Sequence, residues 1–255
     1  MPNSKTKYLA QVIYVARFRE RDATIRFMQA DAERAFSSLL NCQSTQTNVP
    51  DNYDPNSPRI VFQAGHKTLV ISQVACQLSL NFEKGAIPFE RQLEVARKNI
   101  IDFHSRLTTF KSRETFIESA FVININIPSD LSQQEMHNHL ADRFLKSNPL
   151  GELASFSLKV GYKTPENLFL NIEMDVYEMR RAEMPAPDPS GAPTIMLIEK
   201  LPIVEKGFSV KLDINDKPRM LQNKTYVTAE PDELIARAFA FVNEQLDQEM
   251  GFEHV

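Results

Sequence analysis

The chain of 255 residues reads as a mixed α+β protein made of two βαββα-like lobes. Three observations predict this. Apolar residues alternate at period two in several segments, the mark of strands in antiparallel sheets with one solvated face. Elsewhere they recur at spacings of three and four, the mark of long helices that would cover the other face. The order strand, helix, strands, helix then occurs twice, which places one lobe at residues 1–113 and the other at residues 114–255.

The elements follow in order. In Tyr8–Phe18, residues Tyr8, Val12, Tyr14 and Phe18 share a face, which predicts a strand. Asp22 is placed to cap a helix over residues 23–41, with Ile25, Met28, Ala32, Ala35, Phe36 and Leu39 as its stripe. Gln43–Pro58 carries three prolines and repeated Asn and Asp, and reads as a loop. Arg59–Ala64 turns at Gly65 and His66 into one long strand over Leu69–Phe82. Gly85 and Pro88 open the clearest helix, where Phe89, Leu93, Ala96, Ile100, Phe103, Leu107 and Phe110 recur with heptad spacing. That spacing admits a coiled coil. Val95 and Ile101 widen the stripe and favour a helix laid on its own sheet.

In the second half, Thr115–Ile127 predicts a strand with Ile117, Phe121, Ile123, Ile125 and Ile127 on one face. Ser132 and Glu135 form a capping box for a helix reaching about Lys146. Strands over Leu153–Tyr162 and Leu168–Glu178 join at a turn, Thr164–Asn167. Met184–Pro193 is a proline-rich loop, and Thr194–Ile198 and Phe208–Ile214 are short strands. Pro231 opens the last helix, with Ile235, Phe239, Val242 and Leu246 as its stripe. The sheet face turned away from the helices is polar, with Gln73, Gln77, Asn81, Asn171, Glu173, Asp175, Ser209 and Lys211 upon it. It is either wet or an interface.

This layout resembles a sporadically distributed family of uncharacterised bacterial proteins of about this length. The similar segments are an early apolar strand at Gln11–Phe18, the mid-chain strand Ala120–Ile127, Leu212-Asp213-Ile214-Asn215, and a Glu/Leu-rich final helix over Glu233–Phe252. Phe121 and Val122 stand where that family places an arginine and a tyrosine. The resemblance implies an architecture and carries no activity with it.

Composition excludes several classes. There are seven glycines and no G-x-G, so the dinucleotide fingerprint is missing, as are a P-loop and a nucleophile elbow. Cys42 and Cys76 make neither a disulfide framework nor a zinc spacing. Met1–Lys7 has no apolar run behind its charges, and no stretch of 18 apolar residues occurs, so neither a leader nor a membrane span is expected. The expected location is the cytoplasm. Residues 1–113 hold 16 basic and 10 acidic side chains, net +6, whereas residues 114–255 are net −10. Either the two halves face each other or protomers meet head to tail.

Site candidates are few. His137 and His139 stand two apart on a helix, and side chains so spaced diverge by about 200°, so they make no metal pair. Asp213, Asn215 and Asp216 start like a calcium loop, but Pro218 and Lys224 occupy its glycine and glutamate positions. Cys76 lies on an apolar strand face, and Cys42 ends a helix. No catalytic residue, metal or cofactor is assigned. The basic helix over residues 88–113 offers Arg91, Arg97, Lys98 and Arg106 as partner-binding residues. A pI near 5.8 argues against a dedicated nucleic-acid binder. The expectation is a non-catalytic protein-interaction or regulatory component of a bacterial system, associating with a protein partner or with itself. Two alternatives are a metal-dependent hydrolase or nuclease using Glu173 and Asp175 between the lobes, and RNA binding through the basic helix.

Overall fold

A computed structural model describes residues 7–146, 151, 153–181, 201–222 and 228–251. The strands are β1 (Tyr8–Phe18), β2 (Ser44–Gln46), β3 (Ile60–Ala64), β4 (Lys67–Ile71), β5 (Ala75–Asn81), β6 (Phe116–Pro128), β7 (Leu158–Lys163), β8 (Phe169–Arg180) and β9 (Ile203–Asn215). They form one sheet in the order β2-β3-β4-β5-β1-β6-β9-β8-β7, antiparallel at every pairing. The helices are α1 (Gln29–Leu40), α2 (Phe89–Phe110), α3 (Gln133–Phe144), α4 (Lys217–Gln222), α5 (Pro231–Ala240) and α6 (Leu246–Glu249). A π turn over Phe241–Gln245 joins the last two.

Alternation decides which face meets the helices. Val12, Tyr14, Leu78, Leu80, Phe121, Ile123, Val210 and Leu212 are buried at the sheet centre. α2 lies on β1 and β5, α5 on β6 and β9, α3 on β8 and β9, and α1 against α2 and β3. The 22-residue α2 is thus a helix on its own sheet, with Leu93, Ala96, Ile100, Phe103 and Leu107 buried beneath it. A register shift between Leu9 and Gln11 lets both Leu9 and Val12 face the core. The same shift sends Tyr8 and Gln11 to the other face.

Several boundaries differ from the sequence reading. The single strand expected over Leu69–Phe82 is a hairpin. Leu69 and Ile71 are buried in β4, whereas Cys76, Leu78 and Leu80 are buried in β5, so the alternation changes phase between them. Ser72 makes the turn, its hydroxyl accepting from Val74 N and Ala75 N. Gln73, expected on the polar face, is buried there instead, and its side-chain oxygen accepts from Arg21. Ile117 does not join the buried row of β6, because a shift beside Phe18 turns Phe116 inward. Asp22 forms an Asx turn with Thr24 ahead of a short 3₁₀ segment, and α1 begins only at Gln29. The Ser132–Glu135 capping box is present. Met184–Pro193 and Thr194–Ile198 lie outside the described residues.

Most of the positive excess of the first half is met inside the chain. Lys7–Asp247, Arg17–Glu118, Lys84–Glu205, Arg97–Asp232 and Arg113–Glu230 each join a base of the first half to an acid of the second. The two halves therefore face each other. No helix among the described residues is long and apolar enough to cross a membrane.

Candidate functional site

The sheet face opposite the described helices is a broad polar surface. Register defines its rows. Asn81 pairs with Gln11, Gln11 with Asn124, Asn124 with Lys211, Lys211 with Glu173, and Glu173 with Lys159. Polar side chains thus run unbroken across six adjacent strands. Gln11 donates to Asn81 Oδ1 at 3.0 Å, and Asn124 donates to Gln11 Oε1 at 3.3 Å. Glu173 lies 3.8 Å from the Lys159 ammonium and 3.9 Å from that of Lys211. The next rows hold Ser79, Ile13, Val122 and Asp213, then Gln77, Val15 and Ala120. Ile13, Val15, Ala120 and Val122 are half-buried.

The face has a centre and a rim. Its middle strands β5, β1 and β6 present amides and aliphatics, with one ion pair, Arg17–Glu118, at the end. The remaining charge sits on β7, β8 and β9. Across the face, Arg17, Lys159, Lys163 and Lys211 are set against Glu118, Glu173, Asp175, Glu205 and Asp213. That near balance offers little to a phosphate backbone, whose binding rests on displaced counterions.

One end of the face carries a polar knot. Glu205 Oε1 accepts from the Tyr8 hydroxyl at 2.7 Å and from the Tyr177 hydroxyl at 2.6 Å, while Lys84 Nζ lies 2.6 Å from Oε2. Asn126 donates to the Tyr8 oxygen at 3.1 Å. Burial and the neighbouring carboxylate push the Tyr177 phenol well above its usual range. Burial pushes the Glu205 carboxyl up, but Lys84 and the two phenols outweigh it and hold the group below the usual glutamate range. Sequence reasoning missed this knot, since its members come from five separate segments.

A second buried network lies under the helices. The Tyr14 hydroxyl stands 3.1 Å from His104 Nδ1 and donates to Ser119 Oγ at 3.3 Å. Asp216 accepts from Ser119 N at 2.8 Å and Ala229 N at 2.7 Å. His104 Nε2 lies 3.5 Å from Glu230. Burial lowers the His104 pKa from its usual value, Glu230 raises it and Arg113 lowers it, with a net decrease. These contacts join α2, β1, β6 and the start of α5.

The other candidates take structural places. His137 Nδ1 accepts from Phe156 N at 3.1 Å, and His139 Nε2 stands 2.7 Å from Met250 O. Asp213 accepts from Asn215 at the end of β9. Burial raises the Cys76 thiol far above its usual range. Of the basic helix, Arg91 pairs with Glu94, and Arg97 donates twice to Asp232. Arg106 pairs with Asp102 and donates to Ser38 Oγ and Ala35 O. Lys98 is exposed. Three of the four bases are thus engaged within the chain. Glu173 and Asp175 share the open face, yet Glu173 is flanked by lysines. Among the described residues no group of three or more His, Cys, Asp and Glu is placed to hold a metal ion.

Comparison of the chain with family models, with curated proteins and with solved structures finds no match.

Proposed function

We propose that this protein is a non-catalytic interaction module that docks a protein partner on the open sheet face. The carrying observation is the pattern on that face: an uncharged centre of amides and half-buried aliphatics on β5, β1 and β6, with charge at the rim. Protein interfaces are depleted of charge at their centres in the same way. The reading keeps two βαββα-like lobes, residues 1–113 and 114–255, meeting at the β1/β6 pair. The strand order supports it, since β5, β4 and β3 lead outward from β1 as β9, β8 and β7 lead outward from β6. A cytoplasmic regulatory or accessory role, and kinship with the bacterial family that the sequence resembles, belong to the same proposal.

The test compares Val122→Arg on the open face with Lys98→Glu on the outer face of α2. Tagged wild-type protein expressed in its native cell is expected to retain a protein partner, or a second copy, that Val122→Arg loses and Lys98→Glu keeps. Loss only with Lys98→Glu would move the interface to the basic helix. An RNA captured through that helix, with affinity falling steeply in salt, would replace this reading.

A further inference from the structure

Resting on the reading of the open face as a docking surface, we infer that its occupant is a second copy of this chain, the two sheets stacking face to face about a two-fold axis. Three observations carry this.

The first is extent. Six strands at a spacing of about 4.8 Å, and three rows of alternate residues at about 6.7 Å, give a contact on the order of 600 Å² per copy. Stable complexes bury roughly 800 Å² per partner, with a spread of about a quarter. The face is large enough for an association of moderate strength.

The second is self-complementarity. In a two-fold contact the same patch meets itself, so a face of one sign would repel its twin. This face is nearly neutral, and opposite signs alternate along one strand: Lys211 and Asp213 both point outward from β9, in the rows of Gln11 and Ile13. A two-fold axis crossing the strands between those rows reverses β9 against its copy. It sets Lys211 of each copy beside Asp213 of the other.

The third is what the fold has already used. Five ion pairs spend the positive first half against the negative second half within the chain. The head-to-tail association that the charge asymmetry first suggested therefore loses most of its positive side, and the open face is a self-complementary surface that these pairs leave available.

Sedimentation velocity of the purified full chain, from about 1 to about 200 μM, reads the association directly. The expected result is a reversible monomer–dimer equilibrium with a dissociation constant in the micromolar range, about 10⁻⁶–10⁻⁵ M, as befits an interface of this size and polarity. Val122→Arg raises that constant at least tenfold. Lys211→Asp and Asp213→Lys each weaken self-association, because each sets like charges across the axis. Mixing these two variants restores a heterodimer, because both contacts again join opposite signs, and this rescue shows that neither variant acts by misfolding. A wild-type chain that stays monomeric throughout overturns the inference of a second copy and leaves the docking reading to its own partner test. A dimer that Val122→Arg leaves intact places self-association on another surface and overturns the inference of a second copy on this face, whereas the docking reading falls only if Val122→Arg also keeps the captured partner. A dimer lost with Val122→Arg but showing no heterodimer rescue overturns the proposed two-fold axis.

Discussion

Lys84 Nζ and Glu205 Oε2 stand 2.6 Å apart, joining the loop after β5 to the first residues of β9. Tyr8 and Tyr177 donate their hydroxyls to the other oxygen of the same carboxylate. One acid therefore ties β1, β8, β9 and the approach to α2. At this end β9 has run past its pairing with β6, which stops at Gly207, and only β8 continues beside it. The knot is the side-chain anchor for that projecting hairpin.

Glu205→Gln is expected to destabilise the fold by about 1–3 kcal/mol at neutral pH, the usual cost of losing a charge-assisted bond among polar groups left in place. The folded carboxyl titrates below its unfolded counterpart. Its contribution is thus fully present above the unfolded glutamate value and is lost as the pH falls through the folded one. The difference in urea midpoint between wild type and Glu205→Gln should narrow from pH 7 towards roughly pH 3. A difference that does not change with pH would show that the carboxylate charge contributes nothing.

His104 has the opposite sign of pH dependence from a salt-bridged histidine. Its folded pKa is lowered, chiefly by burial, so the unfolded chain takes up the proton first as the pH drops. The stability tied to neutral His104 is present above the usual histidine pKa, about 6.5, and is lost as the pH falls from there towards the folded value. Wild type should lose more stability between pH 8 and pH 5.5 than His104→Gln does, as read by thermal unfolding. Equal losses would place the pH dependence elsewhere.

Gly207 sits where β9 crosses the end of β6. A Cβ at this position would lie 2.2 Å from the Ile127 carbonyl oxygen and 2.8 Å from Pro128 Cα, so the backbone itself would have to move. Gly207→Ala is expected to cost about 2–4 kcal/mol, the scale of an overpacked buried site. Gly65→Ala is a control of a different kind: it meets no atom within 4 Å and carries only the penalty of its positive φ. Chemical denaturation of the two variants should separate them clearly, and similar losses would argue that the β6/β9 contact is loose.

Arg59 is a buried guanidinium that organises the loop between β2 and β3. Its Nη1 donates to Ser57 O at 2.7 Å, and its Nη2 donates to Pro50 O at 3.1 Å and Asp54 O at 3.3 Å. Arg26 donates to Thr47 O and Val49 O, so the loop hangs on Arg59 at its end and on Arg26 from outside it. Arg59→Met keeps the apolar stem and removes the donors. The variant should be nicked within residues 47–58 at least about tenfold faster by a nonspecific protease, since ordered loops resist cleavage until they open locally. An unchanged cleavage rate would mean that Arg26 suffices.

Local pattern alone identified much of this molecule. The heptad of α2, the capping box of α3, Pro231 at the start of α5 and the alternation of β1, β6, β8 and β9 follow from side-chain periods that act over a few residues. The same alternation placed Gln77, Asn81, Asn171, Glu173, Asp175, Ser209 and Lys211 on one polar face before any strand had a neighbour. Tertiary structure decided the rest, because pairing between distant segments has no period along the chain. It divided Leu69–Phe82 at Ser72, where Gln73 binds Arg21, and it shifted β1 at Ala10 so that Leu9 and Val12 both reach the core. It also joined the halves through β1 and β6 into a single sheet. The Tyr8–Glu205–Tyr177 knot and the six-strand polar row arose at that step, since each needs strands far apart in sequence to lie about 4.8 Å from one another.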